Sequence, residues 1–228
     1  MSGDSSVMFF DLWMTLIYSL PRDPILDLQQ ILGYEVGKSE GGNGSTPVQL
    51  NPLFAQACLT TDISDEAAFL ACLGAKFGIE LTEEMRGQAA HLWAAERDGV
   101  RFYPETIEVL AELKRQGKRL GLISNLWPFP AHHIFETLGL GAYFEHRIYS
   151  FAEGAAKPDG KIFRSAMDCF GVTAGQCVMV GDSPSSDVGG AFSVGMPAIL
   201  INRSGKPVVC PNSGREIVSL RQLLPAAT

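Results

Sequence analysis

The sequence is short of charged residues, basic runs and long apolar runs, and each shortage excludes a class of protein. Charged residues are 19% of the 228, and 18 Lys and Arg face 25 Asp and Glu, which gives a net charge of −7. An acidic chain without a basic run repels phosphate backbones, so we expect no nucleic-acid partner. Its apolar runs have the length of strands, far below the roughly 20 residues of a membrane span, so we expect no membrane insertion.

Cysteine is also scarce, and its distribution argues against a disulfide framework. The five cysteines are scattered, odd in number and form no CxxC pair. This pattern is typical of small buried apolar side chains in a reducing compartment. Residues 1–4 contain no basic residue of the kind that opens a secretory signal. These features predict a cytoplasmic location.

Hydrophobic residues are abundant, and they predict a folded chain with a real core. They make up 46% of the sequence, which excludes disorder as the dominant state. At about 150 residues per domain, this length predicts either one domain with a large insert or two small domains.

Short apolar runs alternate with helical patterns, and this alternation predicts an α/β fold with a parallel sheet. The runs lie at residues 7–11, 119–124, 146–149, 177–182 and 198–201. They are apolar on both faces, as expected of strands that helices cover on either side. Residues 18–102 have helical spacing and no strand pattern, which predicts a helical insert after the first strand.

Polar side chains at the ends of these predicted strands are candidates for chemistry. Asp11 ends the first strand, Ser124 the second and Asp182 the fourth, and Lys157 precedes the helix that begins near Pro158. A single Asp in such a place is often only a cap or turn residue. Ligands of open parallel sheets, however, bind beyond the carboxyl ends of the strands. The four residues together therefore predict one shared crevice.

The same positions carry four ordered motifs that resemble those of the haloacid dehalogenase-like hydrolase superfamily. The motifs are FFDLWMTL at residues 9–16, LISN at 122–125, KP at 157–158 and GDSPSSD at 181–187. The resemblance implies a Rossmann-like open parallel sheet flanked by helices, with the five predicted strands in the order 5-4-1-2-3. It further implies a core domain of residues 1–17 and 103–228 and a smaller all-helical cap domain of residues 18–102.

The resemblance also implies roles for the core residues. Asp11 would be the nucleophile that forms a covalent aspartyl intermediate. Ser124 would hydrogen-bond the transferring group, and Lys157 would neutralise charge and keep Asp11 ionised. Thr15 and Asn125 are implied substrate-binding residues.

A magnesium site is implied as well. Asp182, Asp187 and the backbone carbonyl of Trp13 would hold the cation together with Asp11, because all-oxygen ligands favour Mg²⁺. Arg22 lies where the chain enters the predicted cap, and we predict that it contacts substrate. A turn around its neighbouring prolines explains Arg22 equally well.

Trp13 departs from the phosphatase pattern, in which a second Asp at this position acts as general acid and base. An indole cannot carry the proton, and losing such a group costs roughly 10²–10⁴-fold in rate. Dehalogenases of the superfamily have an aromatic residue there, but they need no metal and lack the counterpart of Asp182. They also bind halide through a cap Arg, near whose position this sequence offers only Lys38.

Three functions stay open at this point. We favour magnesium-dependent hydrolysis of a small phosphorylated metabolite with altered acid–base chemistry. Such an enzyme would suit a substrate whose leaving group is already acidic; His132 and His133 are alternative proton donors, although helix-surface positions explain both. The alternatives are a 2-haloacid dehalogenase and a non-catalytic relative that binds a ligand or partner. Neither the substrate nor the oligomeric state is predicted.

Overall fold

A computed structural model describes residues 7–19, 23–34, 49–209 and 215–225. The strands in these ranges are β1 (Val7–Phe10), β2 (Ile17–Tyr18), β3 (Arg101–Phe102), β4 (Arg119–Ser124), β5 (His146–Tyr149), β6 (Cys177–Gly181), β7 (Ala198–Ile201) and β8 (Arg215–Ile217). The α-helices are α1 (Pro24–Ile31), α2 (Pro52–Thr60), α3 (Glu66–Phe77), α4 (Glu83–Gly99), α5 (Thr106–Arg115), α6 (Pro128–His132), α7 (Ser150–Glu153), α8 (Gly160–Phe170) and α9 (Gly190–Ser193). None of the helices in these ranges combines the length and apolar character needed to cross a membrane.

The main sheet is parallel throughout and runs in the order β5-β4-β1-β6-β7-β8. The predicted α/β fold is confirmed, and the five predicted strands lie in the predicted order. The structure adds β8 at the edge beside β7. Only Ile217 of its three residues is buried, so β8 has no apolar run by which the sequence pattern reveals it.

The sheet separates two apolar cores because successive strand side chains point to opposite faces. Phe10 of β1 belongs to the core shared with α5 and the helices of residues 24–99. Phe9 faces the other way, into the core formed with α8, where Phe163 is fully buried. Every residue of β1 and of its neighbour β6 is buried. The central strands therefore present the polar residues that follow them from a rigid edge.

The helical insert, by which we mean α1–α4, leaves and rejoins the core through a small ribbon. β2 and β3 pair antiparallel, with Ile17 opposite Phe102. The predicted helical character of this region is confirmed by its four helices. The ribbon was not predicted, because two strands of two residues each are too short to show alternation.

Aromatic side chains join the helical insert to the core. Phe69 and Trp93 of the insert meet Trp127 and Phe129 of the core, with ring centroids between 4.7 and 6.5 Å apart. Edge-to-face pairs in this distance range are favourable beyond the area that they bury. The insert is thus held over the carboxyl end of β4 by a packed interface.

Candidate active site

Asp11 is fixed at the carboxyl edge of the sheet, directly after β1. Its backbone N–H donates to the carbonyl of Val180 at 2.9 Å, which extends the pairing of β1 with β6 by one residue. Ser124 is the last residue of β4, and Asp182 follows β6. Because β1 lies between β4 and β6, these three residues come from neighbouring strands at one edge.

Lys157 links two of the carboxylates. Its Nζ lies 2.6 Å from Asp11 Oδ1 and 2.6 Å from Asp187 Oδ1, and it also donates to the carbonyl of Ile123 at 2.9 Å. The side chain is only 2% exposed. Burial by itself would lower the pKa of Lys157, but the contacts with Asp11 and Asp187 outweigh burial and raise it. Lys157 therefore stays charged.

Three carboxylates converge around this single ammonium. Asp11, Asp182 and Asp187 each offer an oxygen, and these oxygens lie within 4.8 Å of one another. Burial raises the pKa of Asp11 to about 6, with Lys157 lowering it and Asp187 raising it further. Burial, together with Asp11 and Asp187, raises the pKa of Asp182 to about 7. The cluster thus carries more negative charge than Lys157 balances, which is the environment that suits a divalent cation.

Asp187 is held more tightly than the other two carboxylates. Its Oδ1 accepts from Lys157, and its Oδ2 accepts from the backbone N–H of Ser183 at 2.9 Å. A Cβ on Gly181 would lie 2.3 Å from the Asp187 carboxyl, so only glycine permits this approach. The fourth motif therefore begins with glycine because a larger residue would not leave room for Asp187.

Two buried hydroxyls near the cluster have no hydrogen-bond partner among the residues that the structure describes. They are Ser124 Oγ and Thr15 Oγ1, and both side chains are fully buried. A buried hydroxyl without a partner is costly. An oxyanion bound beside such a hydroxyl would give it a partner. The predicted roles of Ser124 in binding the transferring group and of Thr15 in binding substrate stay predictions.

Asn125 braces the loop that carries Lys157. Its Nδ2 donates to the carbonyl of Lys157 at 3.0 Å, and its Oδ1 accepts from the Lys157 N–H at 2.7 Å. The amide is therefore used mainly to position Lys157. Its predicted contact with substrate stays a prediction.

The turn after Asp11 is strained and is held from outside. Met14 has a φ of 59°, a conformation that costs energy in a residue with a side chain. Arg203 donates to the carbonyl of Met14 at 3.3 Å and to that of Thr15 at 2.6 Å. It also pairs with Glu105 at 2.8 Å and lies 3.4 Å from the ring centroid of Tyr103.

Sequence reasoning missed Arg203, because it lies outside all four motifs. Arg203 reaches the carbonyls of Met14 and Thr15 only after the chain has folded, and no spacing in the sequence indicates these contacts. The alignment of β7 beside β6 brings Arg203, the second residue after β7, to the same edge as Asp11 and Asp182.

A cavity of about 470 Å³ opens beside the carboxylate cluster, between the core and the helical insert. Trp13 and Asn125, the neighbours of the cluster, line one end. The insert contributes Glu96, whose Oε2 accepts from Trp127 Nε1 at 2.9 Å. Burial raises the pKa of Glu96 to about 8, the Trp127 hydrogen bond opposes this, and Asp23 adds to it. Sequence reasoning missed Glu96, which has no motif around it.

The remaining candidates lie elsewhere. Arg22 and Lys38 fall outside the described residues, as does the side chain of His132. His133 begins a π-helical turn over His133–Thr137 and is half-buried, and it is not one of the described residues that line the cavity.

Comparison with known proteins gives a consistent family. A family model described as haloacid dehalogenase-like hydrolase matches residues 60–195. The phosphoserine phosphatase of Thermus thermophilus is 35% identical over 124 residues, which are 54% of this chain and 50% of that protein. The chain spans about half the length of the curated relatives to which it is most similar.

Two solved structures resemble the chain over almost its whole length. One is a HAD phosphatase from Thermococcus onnurineus, with a TM-score of 0.62, 27% identity and coverage of 96% of this chain and 95% of that one. The other is a 2-haloacid dehalogenase from Pseudomonas syringae pv. Tomato DC3000, with a TM-score of 0.64, 26% identity and coverage of 96% of each chain. With a family model matching more than half of its residues, the chain belongs to the haloacid dehalogenase-like hydrolases.

Proposed function

We propose that the protein is a magnesium-dependent phosphomonoester hydrolase that uses Asp11 as its nucleophile. The observation that carries the proposal is the cluster of three carboxylates around the single ammonium of Lys157. Metal-free displacement of halide leaves the negative charge of the third carboxylate without a partner, whereas a divalent cation would compensate that charge. Phosphatases among the relatives, such as that of Thermus thermophilus, support the same choice.

The residues of the chain divide the reaction between them. Asp11 attacks phosphorus, the bond from phosphorus to the leaving oxygen breaks, and an aspartyl phosphate forms on Asp11. Lys157 holds the Asp11 carboxylate ionised and oriented through its 2.6 Å contact. The unpartnered hydroxyls of Ser124 and Thr15 donate to phosphoryl oxygens. Water then attacks phosphorus, which releases inorganic phosphate and restores Asp11.

The donor set fits Mg²⁺, which prefers oxygen ligands. We propose Asp11, Asp182 and the carbonyl of Trp13 as its ligands. Asp187, although predicted as a ligand, already accepts two hydrogen bonds, so we assign it to the orientation of Lys157. The bound ion would supply positive charge to the phosphoryl group in the transition state.

Trp13 narrows the choice of substrate. With an indole where a proton donor is expected, departure of an alkoxide is slow, so leaving groups that are already acidic are favoured. We therefore propose aryl or acyl phosphates as better substrates than alkyl phosphates.

The test is phosphate release from matched aryl and alkyl phosphates, with Mg²⁺ and with a chelator. We expect release that requires Mg²⁺, is faster for aryl esters and falls by more than about 10⁴-fold in Asp11→Asn, which cannot form the covalent bond. Asp65→Asn, which changes a helix-capping carboxylate remote from the cluster, serves as the matched control. Release that persists in the chelator or in Asp11→Asn would contradict the proposal.

A 2-haloacid dehalogenase is the second candidate. Trp13 favours it, as does the similarity to the dehalogenase from Pseudomonas syringae. This function predicts chloride release from a 2-chloroalkanoate in the presence of a chelator, which the magnesium-dependent function does not. Binding of a phosphate mimic without release of either product would instead favour a non-catalytic relative.

We also propose that residues 18–102 act as a cap on a core of residues 1–17 and 103–228. The β2–β3 ribbon supports hinges near residues 17–20 and 100–103, through which closure would exclude water. The same insert orientation in free and phosphate-mimic-bound crystals would argue against hinges.

A cytoplasmic location agrees with the free state of Cys58, Cys72, Cys169 and Cys177.

A further inference from the structure

The cavity beside the carboxylate cluster is where the organic part of a substrate would lie. Trp13, two residues after Asp11, and Asn125, next to Ser124, line its near end, and residues of the helical insert close its far side. A phosphoryl group bound at Asp11 therefore directs the rest of the ester into this cavity. Its volume of about 470 Å³ accommodates a ring with a short side chain.

Four of the thirteen described residues that line the cavity are aromatic, and five others are apolar. Trp13 and Trp127 line it from the core, and Tyr18 and Tyr103 line it at the ribbon, with the two tyrosine rings 4.9 Å apart. Aromatic faces attract organic cations through their quadrupole, and the attraction grows where water is excluded. Flat apolar groups also pack well against such walls.

The charged groups of the lining are of one sign. Glu96 and Asp23 line the cavity, and of the described residues around it none is Lys or Arg. The cation of Arg203 lies against the Tyr103 ring and is paired with Glu105. The cavity thus offers two carboxyl groups and no compensating protein cation among its described residues.

The environment of Glu96 leads to the same conclusion. Its Oε2 is bound by Trp127 Nε1 at 2.9 Å. Burial raises the pKa of the carboxyl to about 8 despite that hydrogen bond, and no cation among the described residues offsets the loss of water. A positively charged ligand would favour the ionised form of the Glu96 carboxyl and act as its missing partner.

We propose that the cavity binds an organic ammonium group through Glu96, Asp23 and the aromatic walls, so the substrate is an aryl-sized phosphomonoester with an ammonium at its far end. This inference rests on the proposed phosphatase function for the position of the phosphate. It excludes esters with a second anion at the far end, because a carboxylate there would face Glu96 and Asp23.

Three matched aryl phosphates test the inference: tyramine phosphate, 4-propylphenyl phosphate and the phosphate of 3-(4-hydroxyphenyl)propionate. They share the phosphate and the ring and differ in a terminal ammonium, methyl or carboxylate. The readouts are kcat/KM with Mg²⁺ in the wild-type protein and calorimetric affinity in Asp11→Asn. We expect a preference of about tenfold for ammonium over methyl and weaker binding of the carboxylate.

Glu96→Gln keeps the size of the side chain and an acceptor for Trp127 while removing the charge, so it should abolish the ammonium preference. Glu83→Gln removes the same charge from the same helix at a side chain that is 97% exposed, and it should keep the preference. If Glu96→Gln does not fold, Tyr18→Leu tests the aromatic wall at a partly exposed position and should reduce the preference.

The outcomes separate the inference from the proposed function. Equal binding of the ammonium and methyl esters, or stronger binding of the carboxylate, would overturn the inference even if all three are hydrolysed. A preference that survives in both Glu96→Gln and Tyr18→Leu would overturn its assignment to this cavity. An ammonium preference in Asp11→Asn without phosphate release by the wild type would support the inference and refute the phosphatase function.

Discussion

The carboxylate cluster and the aromatic cavity lie side by side, yet they are built in opposite ways. In the cluster, buried charges are arranged around Lys157 at distances of 2.6 Å. In the cavity, Glu96 shares the lining with aromatic and other apolar side chains, and its one described hydrogen bond comes from an indole N–H. The first region is fixed by strand ends of the core sheet, and the second forms only where the helical insert meets the core.

The difference suggests how the two regions divide the work. A cluster fixed on rigid strands suits the chemical step, because its geometry does not depend on the insert. A cavity between two parts of the molecule suits recognition, because side chains of the insert vary its lining without disturbing the sheet.

Among the tests of this contrast between cluster and cavity, we expect Lys157→Met to have the largest effect on stability. The substitution leaves Asp11 and Asp187 buried without their cation, which should lower the free energy of unfolding by about 3–5 kcal/mol. Lys76→Met, at an exposed position in the last turn of α3, should change it by less than about 0.5 kcal/mol. Denaturant titration measures both, and similar values for the two variants would mean that the cluster is not held by charge.

Trp13→Asp moves a carboxylate to the boundary between the two regions. It should raise kcat for alkyl phosphates by about 10²-fold, because a proton donor becomes available to the leaving oxygen. Aryl phosphates, whose leaving groups need little protonation, should gain much less. Trp13→Phe keeps an aromatic ring without a titratable group and should give no gain. An equal gain for both ester types would show that the change acts on binding and not on proton transfer.

Arg203 connects the two regions, since it bonds the turn after Asp11 and stacks on Tyr103 of the cavity. Arg203→Met should lower the free energy of unfolding by about 2 kcal/mol, because the nearly buried Glu105 loses its charged partner. Arg221→Met removes an exposed ion pair with Glu108 and should cost less than about 1 kcal/mol. Equal losses in the two variants would argue against Arg203 as a brace.

The last effect depends on pH and concerns the cavity alone. Because burial raises the pKa of Glu96 from 4.5 to about 8, the folded protein keeps a proton that the unfolded chain releases between these values. This contribution to stability is full below pH 4.5 and is lost as the pH rises towards 8. Glu96→Gln has no proton to lose, so its melting temperature relative to wild type should rise over this range.

The control for that measurement is Glu83→Gln, which makes the same substitution in the same helix at a side chain that is 97% exposed. Contributions from the raised pKa values of Asp11 and Asp182 are common to all three proteins and cancel in the comparison. A Glu96→Gln difference that does not vary with pH would indicate that Glu96 is ionised over the whole range.

Much of the core was predictable because its signals are local. Short apolar runs predict the strands of a covered parallel sheet, and their carboxyl ends predict where Asp11, Ser124 and Asp182 meet. The fourth motif begins with glycine, directly before Asp182, because a Cβ at that position would collide with Asp187. The strand β8 and the β2–β3 ribbon were missed, since their runs of two or three residues carry no periodicity.

The sequence by itself determined the strands of the sheet, the helical character of the insert and the family motifs, because each follows from apolar periodicity or from residues adjacent in the chain. The strand order was implied by the family resemblance that those motifs carry. Only the tertiary structure decided which side chains from distant segments meet: Arg203 with the turn after Asp11, and Glu96 with Trp127. Such pairs depend on the packing of the insert and the alignment of β7 in the sheet, and long-range packing leaves no spacing in the chain from which to infer them.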